Sequence, residues 1–158
     1  PNLIVIKSIS KSYGVPGLRL GVLASGNKDY LKIINNNLPV WNINSFAEYF
    51  LQIINMYKKD YMHGCEQIKE ERARFYNELI KIEGLNVYPS EANYFMMQLN
   101  NGNANELAEQ LLENDKVLIK VLNGKNGFDD KEYVRIAIKS REENDYLLES
   151  IKRKVLKK

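Results

Sequence analysis

The chain has 158 residues, 44% of them hydrophobic, with 23 basic and 20 acidic side chains giving a formal charge of +3. That length supports one compact domain or part of a larger one, and the near-balanced charge gives no footprint for a nucleic-acid binder. A lone cysteine, Cys65, excludes an internal disulfide and a cysteine-rich zinc site, and no run of about 18 apolar residues exists to span a membrane as a helix.

The opening "PNLIVIKSIS" lacks a basic n-region and an initiator methionine, and it begins inside what reads as a strand. A longer polypeptide is expected, working in the reducing cytoplasm that a single thiol fits. Within this opening, residues 3–6 "LIVI" form a continuous apolar run, the pattern of a strand buried on both faces. A second strand is expected over 18–24, after a Pro16-Gly17 type II turn. "NKDYLKIINN" is a short helix, and Ser45 is placed to cap the next, "FAEYFLQIINMY".

A long helix follows from about Lys58 to Ile82, with Ile68, Phe75, Leu79 and Ile82 on one stripe and Gly84 closing it. The lone histidine, His63, lies in its polar part and reads as a surface residue. Short strand-like runs "LNVYPS", "NYFMMQL", "KVLIKVL" and "YVRIAIK" then alternate with helical "NANELAEQLLEN" and "SREENDYLLESIKRKVLK". Ser140 and Glu143 form a capping box for the last helix. Its basic tail, Lys152 to Lys158, has no interleaved aromatics and reads as favourable charge at a helix C-terminus. The α+β character of the second part sets a boundary near residues 55–65.

Chemistry concentrates in "KSISKSYGVPGLRLG", Lys7 to Gly21. Lys11, just after the first strand, is an amine able to form a Schiff base with an aldehyde. Ser8 and Ser10, two apart in an extended chain, offer two hydroxyls on one side. Arg19 offers a planar fork matched to a phosphate. Gly14, Gly17 and Gly21 permit tight turns. An aldehyde that also carries a phosphate describes pyridoxal 5'-phosphate. The pattern S-x-S-K-x-x-G-x-x-G-x-R-x-G fixes seven positions, so chance agreement at one site is on the order of 10⁻⁸ or less at background frequencies. It lacks the glycine spacing that opens a nucleotide-phosphate loop.

The segment resembles the cofactor-lysine motif of class I and II aminotransferases, the fold-type I pyridoxal-phosphate enzymes. Three further stretches carry the resemblance. "PVWNINSFAEY", "PSEANYFMMQL" and "YVRIAIKSREEN" are similar to segments of histidinol-phosphate aminotransferases and threonine-phosphate decarboxylases. The resemblance implies an α/β fold: residues 1–60 as the C-terminal part of the large cofactor domain, the end of a mixed sheet with helices, and 61–158 as a small α+β domain. It implies that Lys11 holds the cofactor and moves a proton, that Ser8, Ser10 and Arg19 hold its phosphate, and that Arg135 binds the substrate carboxylate. No metal is implied.

Val134 and Ile136 flank Arg135 and point to the other face of a strand, so Arg135 faces solvent or a cleft. Trp41 reads as core, and Asn42 and Asn93 as turn residues. The sequence departs from the family at Lys139-Ser140, where Gly-Thr is usual, and in "LIKVL", where Lys120 stands in place of a second arginine. The activity implied is transamination between an amino acid and a 2-oxo acid by a homodimer, without nucleic-acid or membrane partners. An amino-acid decarboxylase on the same scaffold and a non-catalytic dimerisation module are the alternatives. The motif also resembles aminotransferase-like halves fused behind nucleotidyltransferases. The family's upstream aspartate, stacking aromatic and second phosphate loop have no counterpart in this stretch, which is expected to be inactive alone.

Overall fold

The computed structural model describes residues 2–128 and 131–155, and the chain divides into two compact units between His63 and Gly64. The end of the basic tail, residues 156–158, lies outside the described residues.

In the first unit, the β-branched run makes β1 (Ile4–Ser8), which pairs antiparallel with β2 (Gly21–Ser25) from Ile4↔Ser25 to Ser8↔Gly21. The expected burial on both faces is not observed: Ile6 is 77% exposed and its strand neighbours are exposed too. Burying a strand on both faces needs covering layers, and among the described residues these two strands form a sheet of their own.

Between them lies α1 (Ile9–Ser12), one helical turn, and then a 3₁₀ turn over Pro16–Leu18. The type II turn expected at Pro16-Gly17 would need a left-handed Gly17. The left-handed positions are instead Gly14, at φ 67°, and Arg19, at φ 51°. Proline presets the first residue of a helical turn, so the chain reverses two residues later and Arg19 carries the positive φ.

Asn27 caps α2 (Lys28–Asn36), accepting from the Asp29 and Tyr30 amides. The helix α3 (Ser45–Ile53) is capped by Asn44 rather than Ser45, with the Ala47 amide donating to Asn44 Oδ1 at 3.0 Å. Asparagine caps as well as serine and stands one residue earlier. Ile9, Leu20 and Ala47 form the small core, with Tyr13, Leu18 and Phe50 packed against it. Trp41, expected inside, is 90% exposed.

A long helix, α4 (Lys58–Leu79), runs from the first unit into the second. Its stripe is buried at Phe75, Leu79 and, just beyond its end, Ile82, whereas Ile68 is exposed. The second unit is built on an antiparallel sheet in the order β3-β4-β6-β5. These strands are β3 (Leu85–Val87), β4 (Tyr94–Leu99), β5 (Lys120–Val121) and β6 (Glu132–Ala137). The helices α5 (Ala104–Asp115) and α6 (Arg141–Val155) complete it.

Alternation decides which face is wet. Phe95, Met97 and Leu99 on β4 and Val134 and Ile136 on β6 join Leu107, Leu111, Leu147 and Ile151 in one core. The capping box forms as expected: the Glu143 amide donates to Ser140 Oγ at 3.3 Å and the Ser140 amide to Glu143 Oε2 at 3.4 Å.

Candidate functional site

The lysine turn is built by a clasp. The Ser10 amide donates to the Leu20 carbonyl at 3.2 Å, and Ser10 Oγ donates to the same oxygen at 3.2 Å while accepting from the Leu20 amide at 2.9 Å. Both residues are buried. Lys11 follows Ser10 and Arg19 precedes Leu20, so the clasp brings the two cationic residues to neighbouring positions of the backbone. Both are exposed, and among the described residues neither has a carboxylate partner. Arg19 Nη1 donates to the Pro16 carbonyl at 3.3 Å, which leaves most of the guanidinium's donors available.

The two serines do different work. The chain turns helical at Ile9, so Ser8 and Ser10 do not share one side of an extended strand. Ser10's single hydroxyl proton is committed to Leu20. Ser8 occupies the position before α1 without capping it by its side chain, and its hydroxyl has no partner among the described residues. The turn therefore presents an amine, a guanidinium and one uncommitted hydroxyl. That set suits an aldehyde bearing a phosphate.

The strand residues form a second group. Arg135 on β6 is exposed, while Val134 and Ile136 are buried. Its guanidinium lies 5.0 Å from the Tyr94 ring centroid, an arrangement that aligns the cation over the ring. Register places Lys120 directly opposite Arg135 on one side and Met96 on the other. Two of the residues singled out from sequence thus meet on one wet face.

Two further asparagines, Asn44 and Asn144, support these groups. Besides capping α3, Asn44 donates from Nδ2 to the Leu18 carbonyl at 3.0 Å, steadying the residue next to Arg19. Its signal was available, as a capping residue type just ahead of an apolar helical run. Asn144 is 1% exposed; it accepts from the Lys139 amide at 3.0 Å and donates to Glu71 Oε1 at 2.8 Å and the Lys139 carbonyl at 3.1 Å. Arg74 pairs with Glu71 at 2.6 Å and Asp145 at 2.7 Å. The Arg74 bonds, and then Asn144, hold the Glu71 carboxyl below its usual range against the opposing effect of burial. Asn93, expected to organise a turn, accepts the Ile138 amide at 2.9 Å through its backbone carbonyl.

Comparison with known proteins identifies the family. The family described as aminotransferase class I and II matches residues 1–151. A CMP-5'-(3-aminopropyl)phosphonate synthase of Streptomyces rubellomurinus is 32% identical over 151 residues, which are 95% of this chain and 24% of that protein. A histidinol-phosphate aminotransferase of Clostridium novyi is 36% identical over 154 residues, 96% of this chain and 40% of that one. Among solved structures, a decarboxylase from Sulfurospirillum multivorans superposes with a TM-score of 0.87 at 32% identity, covering 98% of this chain and 44% of its own. The chain spans less than half the length of each of these relatives. It belongs to the class I and II aminotransferase family, whose members depend on pyridoxal phosphate.

Proposed function

We propose that the protein to which this chain belongs is a pyridoxal-phosphate-dependent aminotransferase, moving an amino group between an amino acid and a 2-oxo acid. The observation that supports this reading is the Ser10–Leu20 clasp, which joins the residue before Lys11 to the residue after Arg19, both cationic residues being exposed. When bound, the cofactor supplies an electron sink for the bond broken at the substrate's α-carbon.

The chain's own residues supply the rest. Lys11 would hold the cofactor through its amine at the aldehyde carbon, with water as the leaving group, and, once the substrate's amine displaced it, would carry a proton away from and back to the reacting carbons. Arg19 and Ser8 donate to the phosphate, while Ser10 holds the turn that presents them. Arg135, steadied over Tyr94, orients the amino acid by its carboxylate through a bidentate fork. Lys120 adds a point charge beside it. Exposed Val40, Trp41, Phe46 and Tyr49 support a homodimer that covers them. No helix among the described residues is long and apolar enough to cross a membrane, and the cytoplasm is the compartment we assign.

A decarboxylase is the second reading, favoured by the close superposition on the Sulfurospirillum enzyme. The test uses the protein at its full natural length with pyridoxal phosphate. An absorbance band near about 420 nm, trapped on Lys11 by borohydride and lost in Lys11→Ala, supports the cofactor assignment. Product analysis across amino acids then separates a 2-oxo acid from released carbon dioxide. No trapping on Lys11 in the unaltered protein overturns both readings.

A further inference from the structure

The turn that carries Lys11 is held from another direction by a residue outside the cofactor motif. Tyr61, in the first turn of α4, donates its hydroxyl to the Ser12 carbonyl at 3.0 Å. Ser12 ends α1, a single helical turn, where the last carbonyls have no acceptor role inside the helix. The Tyr61 ring also stacks on Tyr13, with centroids 4.3 Å apart and planes 29° apart. Tyr13 meets Phe50 edge-on at 6.0 Å and lies 5.9 Å from the Lys7 ammonium. Ser12's own hydroxyl donates back to the Ser8 carbonyl at 3.2 Å.

A lone helical turn is a poor support. Nucleating one fixes several backbone dihedrals for a single hydrogen bond, so it persists only when the surroundings hold it. Here the ties are Ser10 to Leu20 immediately before Lys11, and Ser12 to Tyr61 immediately after it. Lys11 is the exposed residue between a buried Ser10 and a half-buried Ser12. Tyr61 projects from a 22-residue helix, a stiffer base than the loop it steadies. A proton-transferring amine must arrive within hydrogen-bonding reach of the reacting carbon, and small displacements there cost rate rather than binding.

We propose that Tyr61 is a positioning residue for Lys11, fixing through the Ser12 carbonyl the direction in which the amine leaves the turn. This rests on the reading of Lys11 as the cofactor lysine. The aromatic contacts hold the Tyr61 ring in place, and the hydroxyl carries the tie.

The test compares Tyr61→Phe, which keeps the ring, with Tyr61→Leu, which loses ring and hydroxyl, both in the protein at full natural length. In the cofactor-free protein, amide exchange at Tyr13 and Val15, whose amides bond to Ile9 and Ser10, is expected to speed up about fivefold in Tyr61→Phe. With pyridoxal phosphate bound, kcat is expected to fall about fivefold with KM within about twofold, the equivalent of one neutral hydrogen bond of about 1 kcal/mol. Borohydride labelling stays on Lys11. Unchanged exchange or unchanged kcat in Tyr61→Phe overturns the proposal, as does an effect confined to KM. A lower Tm in Tyr61→Leu with kcat unaltered makes Tyr61 a packing residue and overturns it equally. If the unaltered protein takes no label on Lys11, the reading of Lys11 fails and this proposal fails with it; labelling with an indifferent Tyr61→Phe sinks this proposal alone.

Discussion

Lys120 and Arg135 stand directly opposite one another across the β5–β6 ladder, both exposed on the sheet face turned away from the core. Like charges in a cross-strand pair oppose each other by roughly 0.2–1 kcal/mol. The sheet therefore carries a small cost that an anion bound between the two would remove. Replacing Lys120 by Met is expected to raise stability by about 0.5 kcal/mol in low salt, with the gain fading toward zero near 1 M salt as screening removes the repulsion. The same variant is expected to raise KM for the amino-acid substrate. Urea midpoints at two ionic strengths check the first point, and a gain indifferent to salt would sink the electrostatic explanation.

Glu132, the first residue of β6, caps a helix from the sheet. Its Oε2 accepts the Ala104 amide at the start of α5 and the Asn123 Nδ2, both at 2.7 Å. The Ala104 bond, and then the Asn123 bond, hold its carboxyl below the ordinary range against the effect of burial. A carboxylate with a depressed folded pKa adds stability that is fully present above its unfolded value of about 4.3 and is lost as pH falls through the folded pKa. Glu132→Gln is therefore expected to lower Tm most above about pH 5 and to converge on the unaltered protein toward pH 3. Parallel melts across that range measure the difference, and a gap that does not shrink on acidification would contradict the assignment.

Asn144 closes a polar seam inside the second unit. It makes three side-chain hydrogen bonds while 1% exposed, one of them to Glu71, which Arg74 also holds. Asn144→Ala leaves the Lys139 backbone groups and one Glu71 oxygen short of a partner. At roughly 1 kcal/mol for each neutral bond, and more for the charged one, the expected loss is about 2–4 kcal/mol in urea unfolding. A loss below about 1 kcal/mol would mean that water replaces the amide without cost.

The second unit was the more legible in sequence because its patterns are local. Alternation along β4 and β6 decides which side chains are wet, so Arg135 was placed on the open face from Val134 and Ile136 alone. The Ser140 and Glu143 box is equally local. What the sequence hid depends on partners far along the chain. "LIVI" gives no sign of whether anything covers it, and β1 is exposed. The run "KVLIKVL" yields only a two-residue strand, because Lys116 takes φ 57° and the Val117 amide turns back to the Leu111 carbonyl at 3.0 Å. Tyr61 reaches Ser12 across 49 positions, a separation at which no periodicity speaks.

Ser8 and Ser10 show the same limit, and they separate by experiment. Extended-chain parity put both hydroxyls on one side, but side chains advance by about 100° per residue once the helix starts at Ile9. Ser10→Ala removes a hydroxyl that serves the Leu20 amide and carbonyl at 3% exposure. A buried amide left unpaired costs about 1–3 kcal/mol, so this variant is expected to lower stability even without cofactor. Ser8→Ala removes a hydroxyl with no partner among the described residues, and its expected effect is the reverse: an unaltered melt without cofactor, and affinity for pyridoxal phosphate weakened about three- to tenfold for the loss of one hydrogen bond to an anion. Melting curves and cofactor titrations on the two variants decide between them. If both lose affinity equally and neither loses stability, Ser10 leaves Leu20 when phosphate binds, and the clasp is a switch rather than a support.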